Sequence, residues 1–414
     1  MPVRLSACLI AVCLLSSAYA VDSAASKKPR VRAITAFVRI DGKQYLDQIR
    51  DALTFLHTAE RAYQNSGYEV QTLRITTQPF PEIIRSLGAD EASRFFDHLQ
   101  DLAKRESFLA NIGPVGLHGR EVENATAELL ANILIKHDQL SSSVVVADSD
   151  GIHWQSVRAS AKVFKLIADH TPHGQGTFGF SATAMLSPYT PFFPGSFHDG
   201  PGHQFSIGLE GASIAQSALA SHPNDLALAE KDLLAQMTSQ TIEVESIAKT
   251  VEARSGWSYV GTDPTPAPGG DASIGQAIES FTRTRFGSSG TLTAAAMITR
   301  VVKSLPIKQV GYSGLMLPVL EDPLLAKRWS EGTLGLDSLM AYSAVCGTGL
   351  DTIPLPGDVS EEQLARIIGD VASLAYKWKK ALSARLQPAP GRTAGQMTEF
   401  DNPHLSNAVI QKLP

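Results

Sequence analysis

The stretch VRAITAFVRI (residues 31–40) leads into YLDQIRDALTFLHTAERAYQN (residues 45–65) and then YEVQTLRITT (residues 68–77). The outer two runs are rich in β-branched and aromatic residues, as strands are. In the middle run Leu46, Ile49, Leu53, Leu56, Ala59 and Tyr63 share one helical face. Gly67 supplies the stop. A strand, a helix and a second strand in this order predict a βαβ crossover and a parallel pair.

Working outward, the unit repeats. Strands are predicted at Phe108–Val115, Val144–Ala147, Phe178–Leu186, Phe205–Leu209, Tyr259–Thr262 and Val310–Val319, with a short extended segment at Val345–Pro354. Helices are predicted at Asn124–His137, Ile152–Asp169, about Ser213–Val251, about Ile274–Ser304 and Glu361–Arg385. Some nine or ten strands without a strong linker favour one α/β barrel over residues 31–386, with 387–414 as a wrapping surface tail.

The chain has 414 residues, 43% of them hydrophobic, enough for a large core. A net charge of −5 leaves no basic footprint for nucleic acid. Arg4, the apolar run Ala7–Leu15 and Ala18-Tyr19-Ala20 read as a secretory signal over residues 1–20, cleaved after Ala20. That makes the mature chain secreted or periplasmic, with residues 21–30 as a tether. No later run is long enough to span a bilayer. Cys8 and Cys13 leave with the signal, so Cys346 is the single thiol of the mature chain.

In parallel α/β folds, functional groups gather at strand ends. That rule nominates Arg39, Arg74, Asn111, Glu210 and Thr348 as substrate-binding residues. It nominates Asp199, Asp263 and Asp271 as metal ligands. Cys346 is the strongest catalytic candidate: Gly347 and Gly349 let the backbone turn tightly beside it. His198 is its candidate base, Asp351 a further catalytic group, and Arg39 or Arg74 a cation that would favour the thiolate. HExxH, CxxC and GxxxxGK[ST] are absent, Asp148-Ser149-Asp150-Gly151 lacks the calcium-loop glutamate, and no motif identifies a cofactor.

The strings PFFPGSFHDG, FSIGLEG, YSGLMLPVLED, LMAYSAVCGTGLDTIPLPGD and GQMTEFDNPHLSN resemble the bacterial and archaeal family catalogued as domain of unknown function 711, over about residues 31–410. That resemblance implies a ten-stranded α/β barrel similar to pyruvate formate-lyase and ribonucleotide reductase, in which a barrel cysteine relays a radical. The chain has no glycyl-radical segment after Cys346, and oxygen would quench a stored radical in an exported protein, so radical chemistry is not expected.

Three functions are expected. The first is an exported enzyme on which a small polar or anionic molecule meets Cys346 and His198. The second is a metal-assisted hydrolase or lyase using His198, Asp199, Glu210, Asp263 and Asp271 around a divalent ion. The third is a non-catalytic protein that binds a small-molecule ligand. A homo-oligomer is compatible with each.

Overall fold

The computed structural model describes residues 28–41, 44–269 and 272–413. The expected signal and most of the expected tether, residues 1–27, lie outside the described residues. Ten strands form one sheet: β1 (Arg30–Val38), β2 (Leu73–Thr77), β3 (Phe108–Asn111), β4 (Leu140–Asp148), β5 (Gly151–Ile152), β6 (Phe180–Ala184), β7 (Gln204–Glu210), β8 (Ser258–Asp263), β9 (Gly349–Pro356) and β10 (Leu382–Ala389). Their order is β8-β7-β1-β2-β3-β4-β6-β10-β9, with the short β5 paired to β4. The run β1-β2-β3-β4-β6 is parallel. Pairs β7–β8 and β9–β10 are also parallel, whereas β7 meets β1 and β10 meets β6 antiparallel.

Side chains alternate along each strand. Ile34, Ala36, Ile75, Ala110, Val144, Val146, Ala182 and Ala384 join the main apolar core with the helices. The intervening positions are polar and buried: Thr35, Arg74, Thr76, Asn111, Ser143, Ser181, Thr183, Ser383 and Arg385. Two irregular segments cover this polar face. Pro191 O accepts from Thr35 Oγ1 (3.2 Å) and from Arg74 Nη1 (3.1 Å). Pro194 O accepts from Asn111 Nδ2 at 2.7 Å, and Ser196 Oγ bonds Thr76 Oγ1 at 2.8 Å. The second segment brings the Tyr312 hydroxyl to Ser383 Oγ. The two segments also touch: a Cβ on Gly195 would stand 2.7 Å from the Tyr312 hydroxyl oxygen.

Several expectations need correction. Residues 310–319 form no strand. Instead the segment touches both sheet edges at single bridges, Thr262 with Gln309 and Pro318 with Asp351. Gly311 (φ 69°) and Pro318 interrupt its pairing. The last long helix runs only over Glu361–Trp378, and Lys379 ends it in the left-handed region (φ 47°). Beyond that stop, Leu382, Ser383, Ala384, Arg385, Leu386 and Gln387 alternate apolar with polar, which is strand β10. The expected boundary at 386/387 therefore falls inside a strand, and the expected surface tail buries Phe400, Leu405, Ala408 and Ile410. At the other terminus Lys28 already bonds Ser66 O and Glu243, so the tether gives way to the fold before residue 30.

Candidate functional site

The antiparallel junctions decide which side chains meet. Glu210, the last residue of β7, lies opposite Arg30, the first of β1. The end of β7 therefore adjoins the beginnings of β1 and β2, and one end of the polar face becomes densely charged. Arg32 Nη1 is 3.5 Å from Glu210 Oε2, and its Nη2 is 3.4 Å from Glu321 Oε2. Glu210 also accepts from Gln71. Arg385 Nη1 donates to Glu321 Oε1 at 2.8 Å and to Asp351 Oδ1 at 2.7 Å.

Arg74 differs from its neighbours. It is 6% exposed, yet among the described residues no carboxylate lies within ion-pair distance. Its Nε donates to Thr72 Oγ1 and its Nη1 to Pro191 O, both neutral acceptors. Burial, with the Arg32 and Arg385 charges, pulls its pKa down to about 9, while Glu321 pulls the other way. Phe193 covers one face of this guanidinium at 5.0 Å, as Phe178 covers that of Arg385 at 4.7 Å.

Asp351 carries the complementary perturbation. Burial pushes its carboxyl up to about 6; Arg385 opposes the rise and Glu321 adds to it. Beside it, Arg385 Nε and Gln387 Nε2 are buried without a partner. A buried donor left unsatisfied is destabilising, and such groups concentrate where a ligand or water completes the bonding.

The remaining candidates are scattered. Arg39 is 44% exposed in its side chain and pairs with Glu82 at 2.6 Å, outside the charged cluster. Asn111 is locked by Pro194 O, Ser141 Oγ and Gly113 N. His198 is fully buried, its Nε2 bonds Val38 O at 3.0 Å, and burial lowers its pKa. It packs on Phe37 and Tyr189 at the carboxyl end of β1, away from the residues that start that strand. Cys346 is fully buried in the apolar core. Its neighbour Thr348 sits at the beginning of β9, where its carbonyl accepts from Ser383 N and its own hydroxyl is unpartnered. No hydrogen bond joins Cys346 to His198, Arg39 or Arg74 among the described residues.

Asp263 is buried and holds the covering segment, accepting from Thr265, Tyr312 N and Ser313 N. Burial raises its pKa to about 6 despite those bonds. Asp199 is exposed, and Asp271 lies outside the described residues. Among the described residues no three His, Cys, Asp or Glu side chains gather as metal ligands.

Two members of the charged cluster escape the strand-end rule. Arg32 lies within a strand rather than at its end, and Arg385 falls at the end of a helix-like run. Glu321 follows the segment 310–319 expected as a strand, so the rule reaches it. The alternation of residues 382–387 is the one sequence signal that points to Arg385.

Residues 24–402 match the family described as "Uncharacterised ACR (DUF711)". The chain belongs to the DUF711 family. Relatives in it are called "UPF0210 protein". That of Pyrobaculum aerophilum is 29% identical over 382 residues, spanning 89% of this chain and 83% of that protein. That of Desulforudis audaxviator is 30% identical over 359 residues, spanning 82% and 78%. That of Pelobacter propionicus is 28% identical over 372 residues, spanning 85% and 81%. The match takes in the whole sheet, from β1 to β10, so every residue of the charged cluster in this DUF711 protein lies inside the family's span.

Proposed function

We propose that this DUF711 protein is an enzyme acting on a small molecule with an anionic group, held at the charged end of the sheet by Arg74 with Arg32 and Arg385. Asp351 would transfer the proton. The observation that carries this reading is the buried Arg74 guanidinium with only neutral acceptors: a charge desolvated without an opposite charge is costly, and an anion would relieve it. A carboxyl near pH 6 within the same cluster suits acid–base work close to neutrality.

Thermal unfolding with acetate, succinate and inorganic phosphate tests the binding half: stabilisation should appear at millimolar anion and vanish in Arg74→Gln. Turnover is read by NMR on a defined mixture of organic acids. Loss of one component, abolished by Asp351→Asn and retained by Cys346→Ala, supports catalysis at this end. Stabilisation without turnover makes the chain a binding protein, and turnover lost only with Cys346 moves the chemistry to the thiol.

Two finer readings accompany this one. The sheet is proposed to close into a barrel like that of pyruvate formate-lyase. In favour stand the two antiparallel junctions and the segment that bonds β8 through Thr262 and β9 through Asp351. Hydrogen exchange at Val310 and Val319 as slow as in β1 would support closure. Export is proposed from Arg4, the apolar run 7–15 and Ala18-Tyr19-Ala20, which precede the family match at residue 24. A periplasmic or secreted product beginning at Val21 would support it, and a cytoplasmic chain retaining Met1 would overturn it.

A further inference from the structure

This inference rests on the reading that the Arg74 cluster binds an anion, and it narrows which anion. We infer that the site selects a monocarboxylate over phosphate or sulfate, and that the carboxylate enters with a proton taken up by Asp351.

The first argument is shape. Phe193 and Phe178 each cover one face of a guanidinium, Arg74 at 5.0 Å and Arg385 at 4.7 Å. Arg74 already spends Nε on Thr72 and one bond of Nη1 on Pro191. The donors left to it lie in the guanidinium plane at its far end. A carboxylate is planar and takes two such N–H groups side by side. A tetrahedral oxyanion sends its other oxygens out of that plane, on one side toward the Phe193 ring.

The second argument is charge. Arg32, Arg74 and Arg385 stand against Glu210, Glu321 and Asp351, three against three. Arg30 at the rim lies 3.2 Å from Glu69 and 3.6 Å from Glu210, and counting it with Glu69 makes four against four. A balanced cluster takes one added negative charge far more easily than two, because the interior screens poorly.

The third argument is where a compensating proton goes. The charged or titratable groups facing Asp351 are Arg385, Glu321, Arg32 and Tyr312. Asp351 and Glu321 share the single nitrogen Arg385 Nη1. A carboxylate drawn to Arg74 and Arg385 weakens that nitrogen's hold on Asp351, which then takes a proton from solvent. No other bond forms or breaks.

Isothermal calorimetry of the full chain at pH 7 decides. The probes are acetate, benzoate, succinate, inorganic phosphate and sulfate at matched ionic strength, in two buffers of different ionisation enthalpy. At least one monocarboxylate should bind ten-fold or more tighter than phosphate, with Phe193→Leu reducing the preference. Uptake should be about 0.4 proton, the change expected if the Asp351 pKa rises by about one unit, and should vanish in Asp351→Asn. Phosphate or succinate binding as tightly as the best monocarboxylate, or carboxylate binding without proton uptake, overturns this inference while leaving the anion site intact. No binding by any probe overturns both.

Discussion

Arg385 and Asp351, buried on the adjacent parallel strands β10 and β9, meet at 2.7 Å, and the same Arg385 nitrogen also holds Glu321. One guanidinium thus compensates two carboxylates from different parts of the chain. Replacing Arg385 with Met should strand Asp351 in a poorly solvated place, leave Glu321 to Arg32 alone, and destabilise the fold by about 3 kcal/mol or more at pH 7. Urea unfolding checks this. Part of the loss should return at pH 5, where Asp351 becomes neutral.

The Asp351 carboxyl gives a pH signature of its own. Its pKa is raised from 3.8 to about 6 in the folded chain. Between those values the folded protein keeps a proton that the unfolded chain has released. Its contribution to stability is therefore complete below about pH 4, falls as pH rises, and is lost above about pH 6. Asp351→Asn stays neutral throughout. The variant should gain on the wild type by about 1–3 kcal/mol between pH 4 and pH 7, levelling off above pH 6. Paired urea titrations across that range measure the difference, in which Asp263, present in both proteins, cancels.

Cys346 is fully buried. It should resist iodoacetamide in the native state and react fully once unfolded in urea. Cys346→Ala removes one packed sulfur and should lower stability by about 1 kcal/mol. Rapid native labelling at one equivalent would show that this part of the chain opens.

Gly347 and Gly314 press backbone to backbone: a Cβ on Gly347 would stand 2.4 Å from Gly314 Cα. The contact is fixed by Gly347 N donating to Leu315 O at 2.7 Å. Gly347→Ala must push the covering segment off the sheet, and a loss of about 2 kcal/mol or more is expected by thermal melting. Gly391→Ala, at a position with open space but φ 77°, should lose less.

The βαβ unit of residues 31–77 and the buried strand at Val144–Ala147 are legible in the sequence because β-branched composition marks the strands and a helical period marks the helix between the first two. The site is legible only in part. Arg74, Glu210 and Asp351 stand out as strand-end residues on the assumption that all strands deliver their ends to one edge. The antiparallel junctions β7–β1 and β6–β10 break that assumption. His198, against Val38 O at the end of β1, and Asn111, at the end of β3, therefore lie at the opposite end of the sheet from Arg32 and Arg74, near the beginnings of β1 and β2. Arg385 is hidden because Lys377, Lys379 and Lys380 extend a helix-like composition beyond Trp378, and only the tertiary pairing with β6 and β9 makes residues 382–389 a strand. Pairings so distant in sequence leave only the alternation of residues 382–387 as a local trace.

Because β10 inserts between β6 and β9, the polypeptide must be synthesised almost to its last residues before the sheet can be completed. Until then β9 has no lateral neighbour of regular pairing, and Asp351 waits for its cation. A chain cut short before residue 382 leaves β6 with an open edge, a template for pairing with another copy.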